Sequence, residues 1–594
     1  MLRRYFPPLD WGRGYGGGAL AADLTAAAIV TIMLIPQSLA YAMLAGLPAE
    51  VGLYASIAPL VVYALLGTSR TLAVGPVAVV SLMTATAVGA LEGEARLTAA
   101  AALAALTGAI LLGMGLLRLG FLASFLSRPV VSGFITAAGL LIAASQLGHI
   151  LGVATSGGTI IEIGRDLAQG IGNLHLPTLA IGTTSAAFLF WTRRGLAASL
   201  ERLGVPPGLA GWAAKTSPAL AVIASTAAVA GLSLEQAGVA VVGRTPAGLP
   251  PLALPPLDPE LWRSLAGPAL LIAVVGYVET IAVAQTLAAK RRQRVSPDQE
   301  LIGLGGANLA ASFSGGFPVA GGFARSVVNF DAGAETPAAG AFAAAGIALA
   351  TIFLTPLIAD LPKATLAATI LVAVLGLIDL RELRRIWSYS KSDFAAVAAT
   401  ILVTLAFGVE AGVASGVGVS IALHLYRTSR PHVAIVGRVP GSEHFRNVER
   451  HAVATAPGLL SLRIDESLYF ANARYLEDVV LDAVARDLAL RDVVLMCSAV
   501  NTIDASALES LEALDQRLRD AGVRLHLSEV KGPVMDRLKR SALPQTLSGE
   551  IFLSQNDAFE ALASSAPAGP ERSPDEARER GSAAEVGRYG AVAP

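Results

Sequence analysis

Arg325 stands in GGFPVAGGFARSVVN, from Gly315 to Asn329, a glycine-dense, poorly hydrophobic stretch set among segments apolar enough to cross a bilayer. Irregular backbone survives at membrane depth only where protein or a water-filled cavity surrounds it, and an arginine there marks a functional site by default. Its chemistry is recognition of an anion, with no bond made or broken. A second stretch, TLAVGPVAVVSLM from Thr71 to Met83, has the same design in the first half of the apolar region. Each opens extended and Gly/Pro-marked (TLAVGPV and SFSGGFPVAGG) and then turns helical, with proline suited to the first turn. Gly75, Val77 and Ala78 on one side, and Gly322, Phe323 and Ala324 on the other, are expected to present backbone N–H groups at two facing helix N-termini. Each terminus supplies about half a positive charge, and Arg325 adds a full one on a planar fork suited to oxyanions. The sum approaches roughly +2, enough to balance a divalent oxyanion.

Glu279, in LLIAVVGYVETIAVAQTLAAK, lies in the middle of an apolar run. An ionised carboxylate alone is expensive there, which favours a carboxyl that can carry a proton. The alternative is a fixed ion pair with Arg325 that only holds two segments together. Thr280, beside it, could help bind sodium. Pro36 and Gln37 fall inside the run from Ala19 to Ala45. Proline removes a helical hydrogen bond, and the Gln37 amide can donate to an oxyanion or pack between helices. Asn308 and Asn329 are expected to satisfy the backbone of the broken helices without touching substrate.

The elements that must position these residues follow from composition. The chain has 594 residues, 54% hydrophobic and 15% charged, against about 25% charged in a soluble domain. Charge is concentrated in the last third, so a polytopic membrane domain is followed by a soluble one. Net charge is −1 and specifies no partner. The lone cysteine, Cys497, has no partner for an internal disulfide and reads as a small buried apolar residue. The basic start MLRRYFPPLDWGRG precedes an apolar run too long for a secretory signal, so the run is read as the first span.

Spans need roughly 20 apolar residues, fewer for a half-helix. Candidates fall near 19–43, 49–67, 75–91, 97–117, 129–152, 174–192, 217–232, 262–289, 298–312, 322–332, 337–358, 364–379, 393–408 and 410–427. Basic residues follow the even-numbered ones: Arg70; Arg118 and Arg128; Arg193, Arg194 and Arg202; Lys290, Arg291, Arg292 and Arg294; Arg381, Arg384, Arg385 and Lys391; Arg427 and Arg430. The loops between, such as Leu44 to Glu50 and Gly243 to Pro259 with its single Arg244, are poor in them. Short cytoplasmic loops collect Lys and Arg, which puts both termini in the cytoplasm. The Lys290–Arg294 run is therefore a topology signal, not a nucleic-acid patch. An odd-numbered unit repeated once must return inverted. A seven-plus-seven inverted repeat brings the third and tenth segments, both half-helices, together near the midplane.

The run IPQSLAYAMLAGLPAEVGLYAS, from Ile35 to Ser56, resembles the signature of the sulfate permease (SulP) family, which also marks the animal anion exchangers and prestin. GGANLAASFSGGFPVAGGFARSVVN resembles that family's tenth-segment motif. The resemblance implies an inverted-repeat fold of core and gate domains, and frequent dimerisation. It also puts Gln37 and Tyr41, one turn apart, at the substrate pocket. It places an acidic residue at Glu279: an aspartate with neighbouring hydroxyls in sodium-coupled bicarbonate members, a glutamate in proton-coupled ones. Where the family often has a serine before the arginine, this chain has Ala324, which removes a hydroxyl contact and leaves substrate identity open.

From Val433 the composition turns soluble. Strand-like runs (LLSLRI, DVVLMCS, VRLHLSEV, EIFLS) alternate with amphipathic stretches at 471–488, 505–520, 533–541 and 555–563, the pattern of an α/β domain. It resembles the STAS domain shared by sulfate permeases and bacterial anti-sigma-factor antagonists. NTIDASALESL, from Asn501 to Leu511, resembles the antagonists' loop, with Asp504 as N-cap and Ser506 where they are phosphorylated. A helix-start serine also needs no regulation to explain it.

The sequence thus divides into a cytoplasmic segment 1–18, a transporter domain 19–430, a cytoplasmic STAS domain 433–565 and a disordered tail 566–594. The expected function is proton-coupled symport of an inorganic anion, sulfate first, by alternating access in a bacterial-type inner membrane. Alternatives are bicarbonate uptake, with sodium where coupled, C4-dicarboxylate uptake, an exchanger or channel, an electromechanical sensor, and an anion receptor signalling through STAS. No enzyme active site or cofactor is expected. The expected partners are the anion, a proton, the bilayer, a second copy of the chain and a cytosolic protein on STAS.

Overall fold

Apolar runs rich in Leu, Ala, Val and Ile, with Gly and Pro at their ends, fold into helices whose backbone bonds are satisfied internally, as a bilayer requires. The structure is a computed structural model that describes residues 6–121, 128–155, 159–243, 248–256, 258–353, 359–376 and 378–564. The tail expected at 566–594, and Arg244, lie outside them. The chain divides into two compact units, Met1–Ser420 and Ile421–Pro594.

Up to Ser429 the chain runs α1 (Gly17–Leu44), α2 (Ala49–Leu66), strand β1 (Val74–Gly75), α3 (Ala78–Val88), α4 (Gly93–Leu116), α5 (Arg128–Leu151), α6 (Leu176–Trp191), α7 (Pro207–Gly231), α8 (Pro259–Lys290), α9 (Pro297–Phe313), β2 (Ala320–Gly321), α10 (Phe323–Asp331), α11 (Ala338–Phe353), α12 (Lys363–Leu375), α13 (Lys391–Phe407) and α14 (Val409–Ser429), and the boundary between the units falls inside α14. Proline occupies the first turn of α6, α7, α8 and α9, where its missing N–H is no loss. Among the described residues six spans, α1, α2, α4, α5, α8 and the run from α12 to Tyr389, are long and apolar enough to cross a membrane.

The packing repeats with a period of seven elements. α4 packs on α8 and α9; α11 packs on α1 and α2. α3 touches α1 and α8, while α10 touches α8 and α1; α5 packs on α13, and α12 on α6. A unit repeated once in the opposite sense produces this exchange of partners. At its centre β1 pairs antiparallel with β2, Val74 opposite Gly321 and Gly75 opposite Ala320. The two half-helices α3 and α10 therefore start from one crossing.

α1 continues through Pro36, inside the expected first span, so the proline removes a hydrogen bond without ending the helix. Two features depart from the sequence reading. α7 begins at Pro207, ten residues before the expected span, because Gly208, Gly211 and Lys215 break up its first turns and leave no continuous apolar run there. Two amphipathic helices, Ile160–Gly170 with a Thr159/Glu162 capping box and Leu380–Tyr389 capped by Asp379, occupy stretches expected as loops.

The second unit carries β3 (Val433–Arg438), β4 (Phe445–Asn447), β5 (Leu459–Ile464), α15 (Ala473–Arg486), β6 (Asp492–Met496), α16 (Ala505–Asp520), β7 (Arg524–Ser528), α17 (Gly532–Leu538), β8 (Ile551–Phe552) and α18 (Gln555–Ala563). The sheet order is β4-β3-β5-β6-β7-β8, parallel from β5 to β8 and antiparallel at β3 and β4. Alternate residues serve opposite faces: Val493 and Leu495 pack with Leu476, Leu511 and Leu514, while Val494 packs with Phe559 and Leu562. Asp504 caps α16, one carboxylate oxygen accepting from Ala507 N–H at 2.8 Å and the other from Phe470 N–H at 2.9 Å. Ser506, in the first turn, is exposed.

Cys497 follows β6 and is 2% exposed. Burial, with the Glu529 charge adding to it, pushes its thiol up to about 12 from 9.0. The thiolate is the reactive form, so iodoacetamide should label the folded protein at the same negligible rate at pH 7 and pH 9. Denaturant should raise the rate by orders of magnitude. Ready labelling of the folded chain at pH 9 would refute the buried placement.

Candidate functional site

Arg325 enters the first turn of α10 and turns back beneath the crossing. Nε donates to Ala73 O at 2.8 Å, Nη1 to Pro76 O at 2.8 Å, and Nη2 to Gly75 O at 2.7 Å and Ala320 O at 2.8 Å. These bonds leave one Nη1 N–H of the guanidinium's donor set. The fork staples the two non-helical strands together and carries its charge at the edge of the cavity. Its side chain is 2% exposed, so that charge is weakly screened.

Other side chains hold the same crossing. Asn308 Nδ2 donates to Leu304 O and Val319 O while its Oδ1 accepts from Val319 N–H, each at 2.9 Å. Asn329 Nδ2 donates to Thr71 O at 3.0 Å. Both meet the expectation of satisfying broken-helix backbone. Ser326 Oγ donates to Gly322 O and accepts from Ala73 N–H. Thr280 Oγ1 donates to Gly276 O and accepts from Gly321 N–H at 2.9 Å, tying β2 to α8. Below the site Glu300, fully buried, accepts from Tyr63 Oη at 2.6 Å and from Thr68 N–H at 2.7 Å, clasping the exit of α2 to the start of α9. Sequence did not single out Glu300, because it resembles any acidic residue of a helical first turn.

Above the staple lies a cavity of about 50 Å³, lined by Gln37 and Tyr41 from α1, Pro76 to Val79, Glu279 from α8, Gly322 to Arg325, and Ala373 from α12. At roughly 10–15 Å³ for each water, it has room for a few waters or one small anion. All the expected contact residues line it except Gly75, which lies beneath against Arg325. The backbone N–H groups of Ala78 and Val79, and of Phe323 and Ala324, belong to first turns without intrahelical acceptors. Gly322 N–H is already spent on Ala73 O at 3.2 Å, which removes it from the expected donors. Pro76, Val79 and Ala373 were not singled out. Ala373 sits in an unbroken apolar run with no local signal.

Glu279 stands in the wall between this cavity and an apolar seam of Val130, Val131, Phe134, Ile135, Val275, Val278 and Val413. Its Oε2 is buried and has no hydrogen-bond partner, and it forms no ion pair with Arg325 among the described residues. A fixed Glu279–Arg325 pair is therefore not what holds this region to α8; the Thr280 bond ties α8 to β2, the strand that leads into α10. A lone carboxyl facing a cationic cavity can gain or lose a proton without breaking a structural bond.

Gly75 has φ +155°, and a Cβ there would lie 3.1 Å from Arg325 Nη1. Gly75→Ala should therefore strain the crossing and push the guanidinium off its carbonyls. The expected result is uptake reduced about tenfold or more with expression and membrane insertion retained, a cost of at least ~1.4 kcal/mol on transport. Wild-type uptake by Gly75→Ala vesicles would contradict the packing described.

Residues 20–400 match the model of the sulfate permease family, and residues 451–558 that of the STAS domain. The chain is 34% identical over 563 residues to sulfate transporter 4.1, chloroplastic, of Arabidopsis thaliana, covering 92% of this chain and 81% of the relative. It is 35% identical over 557 residues to a probable sulfate transporter of Mycobacterium tuberculosis, covering 93% and 96%. Among solved structures, the murine Solute Carrier 26 family member A9 anion transporter in the inward-facing state is similar at TM-score 0.85 and 24% identity, over 95% of each chain. The transmembrane domain of the cyanobacterial bicarbonate transporter BicA is similar at TM-score 0.57 and 22% identity, over 68% of this chain and 99% of that one. Likeness at these identities speaks for the fold alone. The family model and the relatives together establish that this chain is a member of the sulfate permease family with a carboxy-terminal STAS domain.

Proposed function

We propose that the protein is a secondary active transporter that moves sulfate together with a proton by alternating access. The observation that carries this reading is the unpartnered Glu279 carboxylate facing the same cavity as two opposed helix N-termini and the buried Arg325 charge. A dianion leaving water needs compensating charge, and the two termini with one guanidinium supply roughly +2. The relatives' names point to sulfate. The cavity's size favours a small inorganic anion over a C4-dicarboxylate. Proton coupling is preferred to sodium because the Glu279 Oε2 is buried without a hydrogen-bond partner, and Thr280 Oγ1 already gives one of its two lone pairs to Gly321 N–H.

In this reading residues 19–430 form the transporter and 433–565 the STAS domain, with both termini in the cytoplasm of a cell with a bacterial-type inner membrane. The alternation of basic loops supports that orientation. The working unit is a homodimer, and a cytosolic partner docks on STAS. Phosphate on exposed Ser506 would sit at the α16 N-terminus, a favourable place for added negative charge; phosphopeptide mapping of protein from the native host tests it.

The decisive assay gives proteoliposomes labelled sulfate in the external medium against unlabelled bicarbonate, fumarate and chloride at two external pH values. Sulfate should compete best with itself, and uptake should rise as external pH falls. Stronger competition by bicarbonate, with stimulation by sodium, would replace this reading with the bicarbonate one.

A further inference from the structure

A second cavity, of about 410 Å³, opens where the end of α5 meets the starts of α6 and α12. It shares no lining residue with the central cavity. Its size falls in the range of about 300–1,000 Å³ typical of ligand pockets. The side chains that give it character are His149, His175 and Lys363, with Asn173 and Thr178, and among the described residues no carboxylate lines it. Asp360, three residues before Lys363, is not among the lining residues.

His175 is a brace. Its Nε2 donates to Ala237 O at 2.8 Å and its Nδ1 meets Thr178 Oγ1 at 2.7 Å, fixing the rim between α6 and the turn before Gly238. Lys363 is tied at its backbone, N–H donating to Ala240 O at 2.9 Å, so its ammonium is carried on an anchored element at the cavity. Among the described residues no carboxylate pairs with it. His149, exposed in the last turn of α5, lines the same cavity. A concave space that carries a lysine and, among the described residues, no acidic lining concentrates the positive potential of that lysine.

We propose that this cavity is a second anion site, taking a sulfate- or phosphate-type oxyanion, free or borne by a lipid headgroup, with Lys363 as its principal contact and His149 facing it. The site is independent of the proposed transport site, and its test does not require sulfate to be the transported anion.

Saturation binding of labelled sulfate and of inorganic phosphate to the purified full chain in neutral detergent is the direct measurement. Lys363→Gln should lower the number of saturable anions by one per chain, and Lys363→Arg should restore it. If the central cavity does not take sulfate, wild type shows one site and Lys363→Gln none, so the two failures look different. A local readout that needs no affinity uses His149→Cys with the inert Cys497 left in place. An anionic thiol reagent should modify the new thiol about tenfold faster than a cationic one of similar size. Adding Lys363→Gln should bring the ratio near unity, and sulfate should slow the reaction. In nanodiscs, loss of the Lys363-dependent site when anionic lipid replaces neutral lipid assigns it to a headgroup; persistence assigns it to a free anion. Equal binding by wild type and Lys363→Gln, or equal rates for the two reagents, overturns the proposal.

Discussion

Arg325→Lys should reduce sulfate uptake in proteoliposomes to the level of empty vesicles, although it keeps the charge. If the guanidinium served the anion directly, lysine would still neutralise it, and transport would persist with a raised KM. The fork is already committed elsewhere, because Nε, Nη1 and Nη2 hold four carbonyl oxygens from both sides of the crossing, those of Ala73, Gly75, Pro76 and Ala320. An ammonium has three donors in a tetrahedral array on a flexible stem and cannot reproduce that planar pattern. Ala73 O keeps the Gly322 N–H, but each of the other carbonyls that the ammonium cannot reach is left unsatisfied at about 1–3 kcal/mol. The two strands then lose the register that aims α3 and α10 at a common point. Detergent-solubilised Arg325→Lys protein should accordingly unfold a few degrees lower as well as fail to transport. Uptake above about a tenth of wild type, with only KM changed, would mean the fork serves the anion and not the crossing.

Much of this arrangement was legible because membrane burial is intolerant. Glycine-dense backbone, an arginine and an isolated glutamate cannot sit in lipid without a local reason, so Gly315–Asn329, Thr71–Met83 and Glu279 stood out against apolar runs. Gln37 and Tyr41 were assigned through family resemblance, and they line the same cavity. What sequence could not give was the direction of hydrogen bonds. Whether Arg325 faces an anion or a set of carbonyls depends on a fold in three dimensions, and both uses ask for the same residue. Gly75 and Gly322 illustrate the point: one lies under the guanidinium and the other spends its N–H on Ala73, so a motif of glycines overstates the donors left for a ligand. Ala373 carries no signal because it differs in nothing from the alanines that only pack. The strands β3 and β4 escaped notice because β4 spans only Phe445–Asn447 and its pairing with β3 is closed by a loop without a regular period.

Glu279→Gln should separate coupling from binding. The amide has the shape of a protonated carboxyl and can still donate a hydrogen bond, so the substituted cavity resembles the proton-loaded site permanently. Exchange of external for internal sulfate needs no net proton movement and should continue within a few-fold of wild type. Accumulation is different: at a membrane potential clamped to zero, one proton moving down a gradient of one pH unit supports up to about tenfold concentration of the anion. Glu279→Gln should show none of it, and its uptake should no longer rise as external pH falls. The buried, unpartnered Oε2 makes the substitution mild for the fold, since no structural bond is lost. Monodisperse protein with intact exchange and no gradient-driven overshoot is the expected outcome. An overshoot equal to wild type would move the coupling proton away from Glu279, leaving the apolar seam of Val130, Phe134 and Val413 behind it as ordinary packing.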